Sequence, residues 1–358
     1  MHIDQTIINL KSKIKAYINL HLMRKCKKGE QAVALLEVKN LTTYYRILRG
    51  DVKAVEGVTF NVEKGQALGL AGESGCGKTT IALSLLRILP SGGRIIGGEI
   101  ILDGVNVVKL DESEMRKKIR WKKISLVFQG AMNAMNPVYK VGEQIVEAIR
   151  IHESNVGEKE AHERAGKLFE LVGIEPSRLD NYPFEFSGGM RQRAMIAMAI
   201  ACNPMLLIAD EPVTALDVIV QTQVMKLLSE LKEKLNMSMI LITHDLSLIA
   251  DTCEKTTIMY AGHIVESGDT VAIFKEPLHP YTGGLISAFP NIEGERMHMI
   301  SIRGSPPDLL DPPSGCRFHP RCSYKKDICK KKRPPLIDIG KGHLVACHLI
   351  SEKGKEEK

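Results

Sequence analysis

Residues 72–80 read Gly-Glu-Ser-Gly-Cys-Gly-Lys-Thr-Thr, placed directly after an apolar run at 66–71 and before a run of helical rhythm at 81–89. Glycines at this spacing let the backbone wrap so closely that successive N–H groups point inward. The N-terminal end of the following helix adds partial positive charge at the same spot. Phosphate is the anion that such a cradle fits. Lys78 would reach β- and γ-phosphates, and the Thr79 hydroxyl would hold a bridging Mg²⁺. The chain is therefore expected to bind a nucleoside triphosphate through Gly72, Glu73, Ser74, Gly75, Cys76, Gly77, Lys78, Thr79 and Thr80.

Further chemistry lies at the ends of apolar runs. Residues 205–209 fill the pattern of a strand buried on both faces and end in Asp210 and Glu211; residues 239–243 do the same and end in His244; residues 124–128 end at Gln129. Adjacent carboxylates after a buried strand would repel each other as bare structure, but a metal and a water resolve the conflict. Asp210 would hold Mg²⁺ together with Thr79 and Gln129, and Glu211 would accept the proton of the water that attacks the γ-phosphorus. Gln129 and His244 are placed to contact the same water or phosphate.

Residues 186–193 (FSGGMRQR) set glycines in front of an apolar helical run at 194–202, a second helix N-terminus suited to an anion. The sequence contains one Lys-bearing phosphate loop, so a single lobe has no use for two cradles. The arrangement points to two subunits that share nucleotides, each offering this turn to its neighbour's ATP.

The elements that must position these residues follow from the hydropathy pattern. Alternation through Leu36, Val38, Leu41, Val55, Val58, Phe60 and Val62 predicts an antiparallel β-layer leading into the phosphate loop. Residues 97–104 read as another strand and turn, and 141–179 as a helical insertion. Val224, Leu227, Leu228, Leu231 and Leu235 recur at helical spacing between two buried strands, a β-α-β unit. Strands alternating with helices predict a parallel sheet whose ligands gather at the carboxyl ends of its strands.

The chain has 358 residues, 44% hydrophobic and 25% charged, enough for about two domains and a large core. No window approaches the roughly 20 apolar residues of a membrane span, and the N-terminus lacks a secretory signal, so the expected compartment is the cytosol. A net charge of +7 is spread along the chain and reads as a solvated basic surface, not a nucleic-acid site. Residues 1–34 mix Ile, Leu and Lys with a partly helical rhythm, either a basic amphipathic segment or a floppy leader ahead of a start at Met23.

Taken in order, the loop at 72–79, Gln129, Ser187-Gly188-Gly189, residues 206–211, Ala215-Leu216-Asp217 and His244 resemble the motif set of ATP-binding cassette (ABC) ATPases over about residues 35–267. The resemblance implies an α/β P-loop NTPase cassette with a parallel core sheet, an antiparallel β-layer and a helical subdomain at about 130–190. It implies a head-to-tail dimer in which Ser187, Gly188 and Gly189 contact the partner's ATP and Asp217 lies at the seam. By the same resemblance Tyr45 stacks on adenine, with Tyr44 as second choice. Phe186 and Met190 stand where many members have Leu and Gln; the serine and glycines are intact.

Residues 128–137 (FQGAMNAMNP) and 182–193 (YPFEFSGGMRQR), with 278–285 (LHPYTGGL) and 315–322 (GCRFHPRC), resemble the peptide-importing branch, and in it the D type of two paired ATPases. That assigns 268–350 to a C-terminal extension and 351–358 to a charged tail. The resemblance implies a peripheral subunit on the cytoplasmic face of the cell membrane. Its partners would be two permease subunits, a paralogous F-type ATPase in a heterodimer and, indirectly, a solute-binding protein, with no nucleic acid. Peptide uptake is the expected work. Related systems carry oligosaccharides or nickel, and a soluble ABC ATPase of DNA maintenance is the reading from another class, which should show a long coiled coil that this sequence lacks.

Of eight cysteines, Cys26, Cys76, Cys202 and Cys253 stand singly and read as reduced thiols, while Cys316, Cys322, Cys329 and Cys347 cluster. Their gaps do not form the CxxC pairs of a zinc ribbon. Four thiolates suit an iron–sulfur cluster, and some members of the resembling group carry [4Fe-4S] on cysteines so arranged. Zn²⁺ with His319, His343 or His348 is the alternative, uncoordinated thiols a third.

Overall fold

Why the strands among residues 34–106 other than 67–71 make a layer of their own is visible in which side chains they hide. A computed structural model describes residues 34–128, 130, 134–288 and 302–351. The expectations for residues 1–33, for Gln129 and for the tail beyond Ser351 fall outside it. β1 (Ala34–Ile47), β2 (Gly50–Glu63), β4 (Gly93–Leu102) and β5 (Val105–Asn106) form a four-stranded sheet in the order β2-β1-β4-β5. Leu36, Val38 and Leu41 of β1 and Val55, Val58 and Val62 of β2 are buried, but the three-residue steps from Val38 to Leu41 and from Val55 to Val58 break strict alternation, and the pairing of β1 with β4 shifts register between Lys39 and Thr42.

The second sheet has eight strands in the order β11-β12-β10-β9-β3-β8-β7-β6. β3 (Ala67–Ala71), β6 (Ile124–Val127), β7 (Leu206–Asp210), β8 (Ser238–Ile242) and β9 (Lys255–Tyr260) run parallel, with register pairs Leu68↔Ile240, Ile208↔Ile240 and Leu126↔Ile208. β3, β6, β7 and β8 are buried at every residue, which is why they read as continuous apolar runs without alternation. β10 (His263–Asp269) turns back antiparallel on β9, and the short β11 (Ile337–Asp338) and β12 (Leu344–Val345) continue from it. Residues 337–345 thus complete the same eight-stranded sheet, and β10 runs across position 267, where a boundary is expected.

Helix α1 (Lys78–Leu86) follows β3. The sequence rhythm placed a helix at 81–89; it starts earlier, at the loop lysine, and stops earlier. Arg87 takes φ 53, Ile88 N–H donates to Leu83 O, and the Arg87 guanidinium is drawn aside to Val107 O and Leu110 O. That is a left-handed helix end, here made by a non-glycine residue held by its side chain. The helical insertion consists of α2 (Val141–His152) and α3 (Glu158–Leu171), followed by a 3-10 turn at Pro176–Asp180. Val141, Ile145 and Ile149 on one helix and Ala161, Ala165 and Phe169 on the other are fully buried, four residues apart in each case. Burying each large side chain contributes about 1.5–3 kcal/mol.

The helix expected at 194–202 is α4 (Gly188–Ala199), which begins six residues earlier because Ser187 caps it: the Ser187 hydroxyl accepts from Met190 N–H at 3.3 Å. Phe186 is buried edge-to-face against Phe169, ring centroids 6.2 Å apart, so the aromatic residue that opens this turn ties it to the helical insertion. Then come α5 (Val218–Lys234), α6 (Leu246–Thr252), α7 (Thr270–Lys275) and α8 (Pro280–Ser287).

Candidate functional site

Strands β3, β7 and β8 end on one rim, and each delivers a polar group there. After β3 the chain turns through Gly72 (φ 150) and Gly77 (φ 105), conformations that a side chain disfavours. A Cβ on Gly72 would lie 2.2 Å from Met259 O, and one on Gly77 would lie 2.4 Å from Ala54 O, so backbone from two neighbouring elements presses on the loop. Its shape is also held by Gly262 N–H donating to Cys76 O at 2.9 Å. Lys78 Nζ is buried and donates to Gly72 O at 2.7 Å and Glu73 O at 3.1 Å, which curls the ammonium over the loop. Burial pushes the Cys76 thiol up, so it packs as a neutral group.

Asp210 closes β7 at 3% exposure, and its Oδ1 finds no hydrogen-bond partner. Burial raises its carboxyl above the ordinary range, while the Thr79 hydroxyl, bonded to it, pulls the other way. An unspent buried carboxylate oxygen beside a threonine hydroxyl at the mouth of a phosphate loop fits a hard divalent cation. Thr79 and Asp210 are the residues that would hold Mg²⁺.

Glu211 follows at φ 49, a left-handed turn that lifts its side chain off the strand end, and its N–H donates to Ile242 O at 2.8 Å. Its carboxylate accepts from Thr214 Oγ1 at 3.0 Å, from His244 N–H at 3.2 Å and from His244 Nδ1 at 2.9 Å. Sequence spacing separates the two strand ends; the parallel pairing of β7 with β8 places them side by side. The His244 ring is 70% exposed while the Glu211 side chain is 11% exposed, a fixed carboxylate beneath an accessible imidazole.

Other site residues fall into separate groups. Tyr45 lies beside the loop, its hydroxyl 3.4 Å from Thr80 Oγ1, whereas Tyr44 faces Glu56 and Arg317. Ser187, Gly188 and Gly189 open α4, and no hydrogen bond or ion pair among the described residues joins them to residues 72–80. Gly189 packs against α5, where a Cβ would come 2.7 Å from Val220 Cγ1; Asp217 caps that same helix by accepting from Val220 N–H at 3.0 Å. The serine turn and Asp217 therefore share one surface, next to the exposed side chains of Val218 and Ile219.

The four clustered cysteines are free thiols. Cys316 N–H donates to Cys329 O at 2.8 Å, and Cys316, Cys322 and Cys347 each have a thiol pushed up first by burial and further by sister thiols, Cys316 to about 11. Among the described residues, no group of three or more His, Cys, Asp or Glu is arranged to hold a metal ion. The thiols are neighbours but do not form a ligand cage. His319 Nδ1 bonds Cys316 O, His343 Nε2 bonds the fully buried Glu266, and His348 Nε2 bonds Lys332 O.

Sequence reading missed two residues that reach the loop. The Tyr281 hydroxyl accepts from Glu73 N–H at 2.9 Å, and Arg321 pairs with the Glu73 carboxylate through two nitrogens at 2.6 and 3.0 Å. The available signal was an acidic residue inside an anion cradle, which calls for a cation.

Residues 55–214 match the ABC transporter family, and residues 265–329 match the oligopeptide/dipeptide transporter C-terminal region. The oligopeptide transport ATP-binding protein OppD of Escherichia coli is 45% identical over 320 residues, 89% of this chain and 94% of that protein. The oligopeptide transport ATP-binding protein AppD of Bacillus subtilis is 43% identical over 326 residues, 90% and 99%. The dipeptide transport ATP-binding protein DppD of Caldanaerobacter subterraneus is 40% identical over 320 residues, 89% and 98%. Among solved structures, a dimeric ATP-binding cassette in a post-hydrolysis state bound to ADP and Pi has a TM-score of 0.59 at 27% identity, covering 66% of this chain and 98% of that one.

Proposed function

The chain belongs to the ABC transporter family, in the branch that carries the oligopeptide/dipeptide C-terminal region, and from that premise we propose that it is the ATP-hydrolysing subunit of an importer of di- and oligopeptides. The observation that carries the chemistry is the Glu211–His244 pair beside Asp210 and Thr79 at the mouth of the phosphate loop. Glu211 takes the proton of the attacking water, and His244 holds that carboxylate and reaches toward the γ-phosphate. Lys78 and the backbone of residues 72–80 bind and orient the triphosphate, and Tyr45 lies against the base. Thr79 and Asp210, with Gln129, would hold Mg²⁺, which would neutralise charge at the phosphate oxygens.

Ser187, Gly188, Gly189 and Asp217 complete the partner protomer's site. Their shared surface, joined by no hydrogen bond or ion pair among the described residues to this chain's own loop and flanked by exposed Val218 and Ile219, supports that reading. The partner is a second, paralogous ATPase. The helical subdomain meets the permease, supported by exposed Val138, Tyr139, Ile151 and Phe184, with Tyr182 and Phe184 stacked at 5.6 Å. The subunit sits at the cytoplasmic face of the membrane beside its permease, as the relatives' role in transport supports, and among the described residues no helix is long and apolar enough to cross a membrane. Peptide cargo, in preference to oligosaccharides or nickel, is supported by what the relatives are named for. The [4Fe-4S] cluster or Zn²⁺ expected at Cys316, Cys322, Cys329 and Cys347 rests on the resemblance alone, because among the described residues these free thiols are not arranged as a ligand group.

The test is ATP-dependent uptake of a labelled tripeptide into vesicles that contain the subunit with its permease and binding protein. Uptake that requires Glu211 supports the proposal. Uptake of Ni²⁺ or an oligosaccharide in place of the peptide overturns the cargo.

A further inference from the structure

Glu73 poses an electrostatic problem. A carboxylate in the loop that must bind a triphosphate repels its ligand, and this one is three-quarters buried, where water screens it poorly. The structure answers with Arg321, 248 residues downstream. Two parallel bonds join guanidinium and carboxylate, at 2.6 and 3.0 Å. The remaining donors of Arg321 are also used: Nε to Arg303 O at 2.9 Å, one Nη to Tyr260 Oη at 3.3 Å, and the other to Gly304 O at 3.0 Å. A guanidinium 7% exposed and bonded in every direction cannot swing away.

The backbone that carries Arg321 is equally fixed. His319 N–H donates to Cys316 O, Arg321 N–H to Phe318 O and Cys322 N–H to His319 O, a tight turn between two of the clustered thiols. Phe318 packs against Tyr260 and Tyr281, ring centroids 5.1 and 5.3 Å away. Tyr281 in turn accepts from Glu73 N–H. Glu73 is thus held at its amide by Tyr281, at its carboxylate by Arg321, and at its carbonyl by Cys76 N–H and Lys78 Nζ.

We infer that Arg321 is a positioning residue of the nucleotide site: the C-terminal extension supplies the countercharge that lets an acidic phosphate loop accept ATP. The inference rests on the ATPase reading and goes beyond it, because it makes the extension part of ATP affinity and gives it a role beyond transporter-type decoration. Removing the cation should harm binding only while the carboxylate is there to repel. Glu73→Gln should therefore suppress the defect of Arg321→Met, which a purely structural strap would not allow.

The experiment titrates a fluorescent ATP analogue onto the full chain. Arg321→Met is expected to weaken binding about tenfold, less so at high salt, and Arg321→Met with Glu73→Gln to return within about threefold of wild type. Equal affinity in Arg321→Met and wild type, or a double variant as weak as Arg321→Met, overturns the inference. Wild-type protein that does not bind the analogue overturns the ATPase reading instead. Should Arg321→Met fail to fold by circular dichroism, Arg321→Lys with and without Glu73→Gln decides: lysine keeps the charge but loses the two-nitrogen grip, so any loss of affinity should disappear once Glu73 is neutral, and a loss that persists in the double variant overturns the inference.

Discussion

Replacing Glu211 by Gln separates binding from turnover, and the hydrogen bonds around that carboxylate set the size of each effect. In wild type, Glu211 Oε1 accepts from His244 N–H and Nδ1, and Oε2 accepts from Thr214 Oγ1. Glutamine has the same length and keeps one oxygen for both His244 donors. Its NH₂ faces the Thr214 hydroxyl, which can accept as readily as donate. The φ of 49 is a backbone demand that both residues share. Stability should change by less than about 1 kcal/mol, and ATP affinity by less than about threefold, because no bond is orphaned. The amide cannot take a proton, so the general-base contribution of about 10²–10⁴-fold is lost, a rise of ~3–5.5 kcal/mol in the barrier. Phosphate release under saturating ATP measures the rate, and titration of a fluorescent analogue measures affinity. A rate within tenfold of wild type would show that the water loses its proton elsewhere. A large loss of affinity would mean that the pair shapes the loop and does not act on water.

The remaining predictions concern the loop, the metal carboxylate and the thiols. Gly77→Ala forces a side chain onto φ 105 and against Ala54 O, so a loss of about 1–3 kcal/mol in thermal unfolding and weakened ATP binding are expected; unchanged melting would contradict the strain. Asp210 has a folded pKa raised by burial, so the folded state holds its proton longer than the unfolded one, and stability falls as pH rises from the ordinary carboxylate range through the raised value. Asp210→Asn should accordingly stabilise the protein by about 1 kcal/mol at neutral pH while ending Mg²⁺-dependent hydrolysis, and the stability difference should shrink near pH 4; destabilisation at neutral pH would count against it. If the four clustered cysteines rearrange to hold a [4Fe-4S] cluster, anaerobically purified protein will contain about four iron and four sulfide per chain, with broad visible absorption. If iron and zinc are both missing, the Cys316 thiol, pushed up to about 11, should alkylate slowly at neutral pH and faster with each added pH unit.

The sequence alone determined what local pattern can encode. Continuous apolar runs gave the parallel strands, because a strand covered on both faces tolerates no polar alternation; glycine spacing gave the phosphate loop, because few backbones can follow it. Motif order gave the family. Local pattern misjudged where α1 and α4 start and α1 ends, since Arg87 stops its helix through a side chain bonded to Val107 and Leu110, and Ser187 starts one through its own cap. Tertiary structure decided which strand ends touch, and so joined Glu211 to His244 across 33 residues. It also decided that the extension finishes the cassette's sheet and lays Arg321 on Glu73. The physical reason is range: helix rhythm and turn chemistry act within a few residues, whereas countercharge and strand pairing act across whatever distance the fold closes, and no spacing rule records that distance.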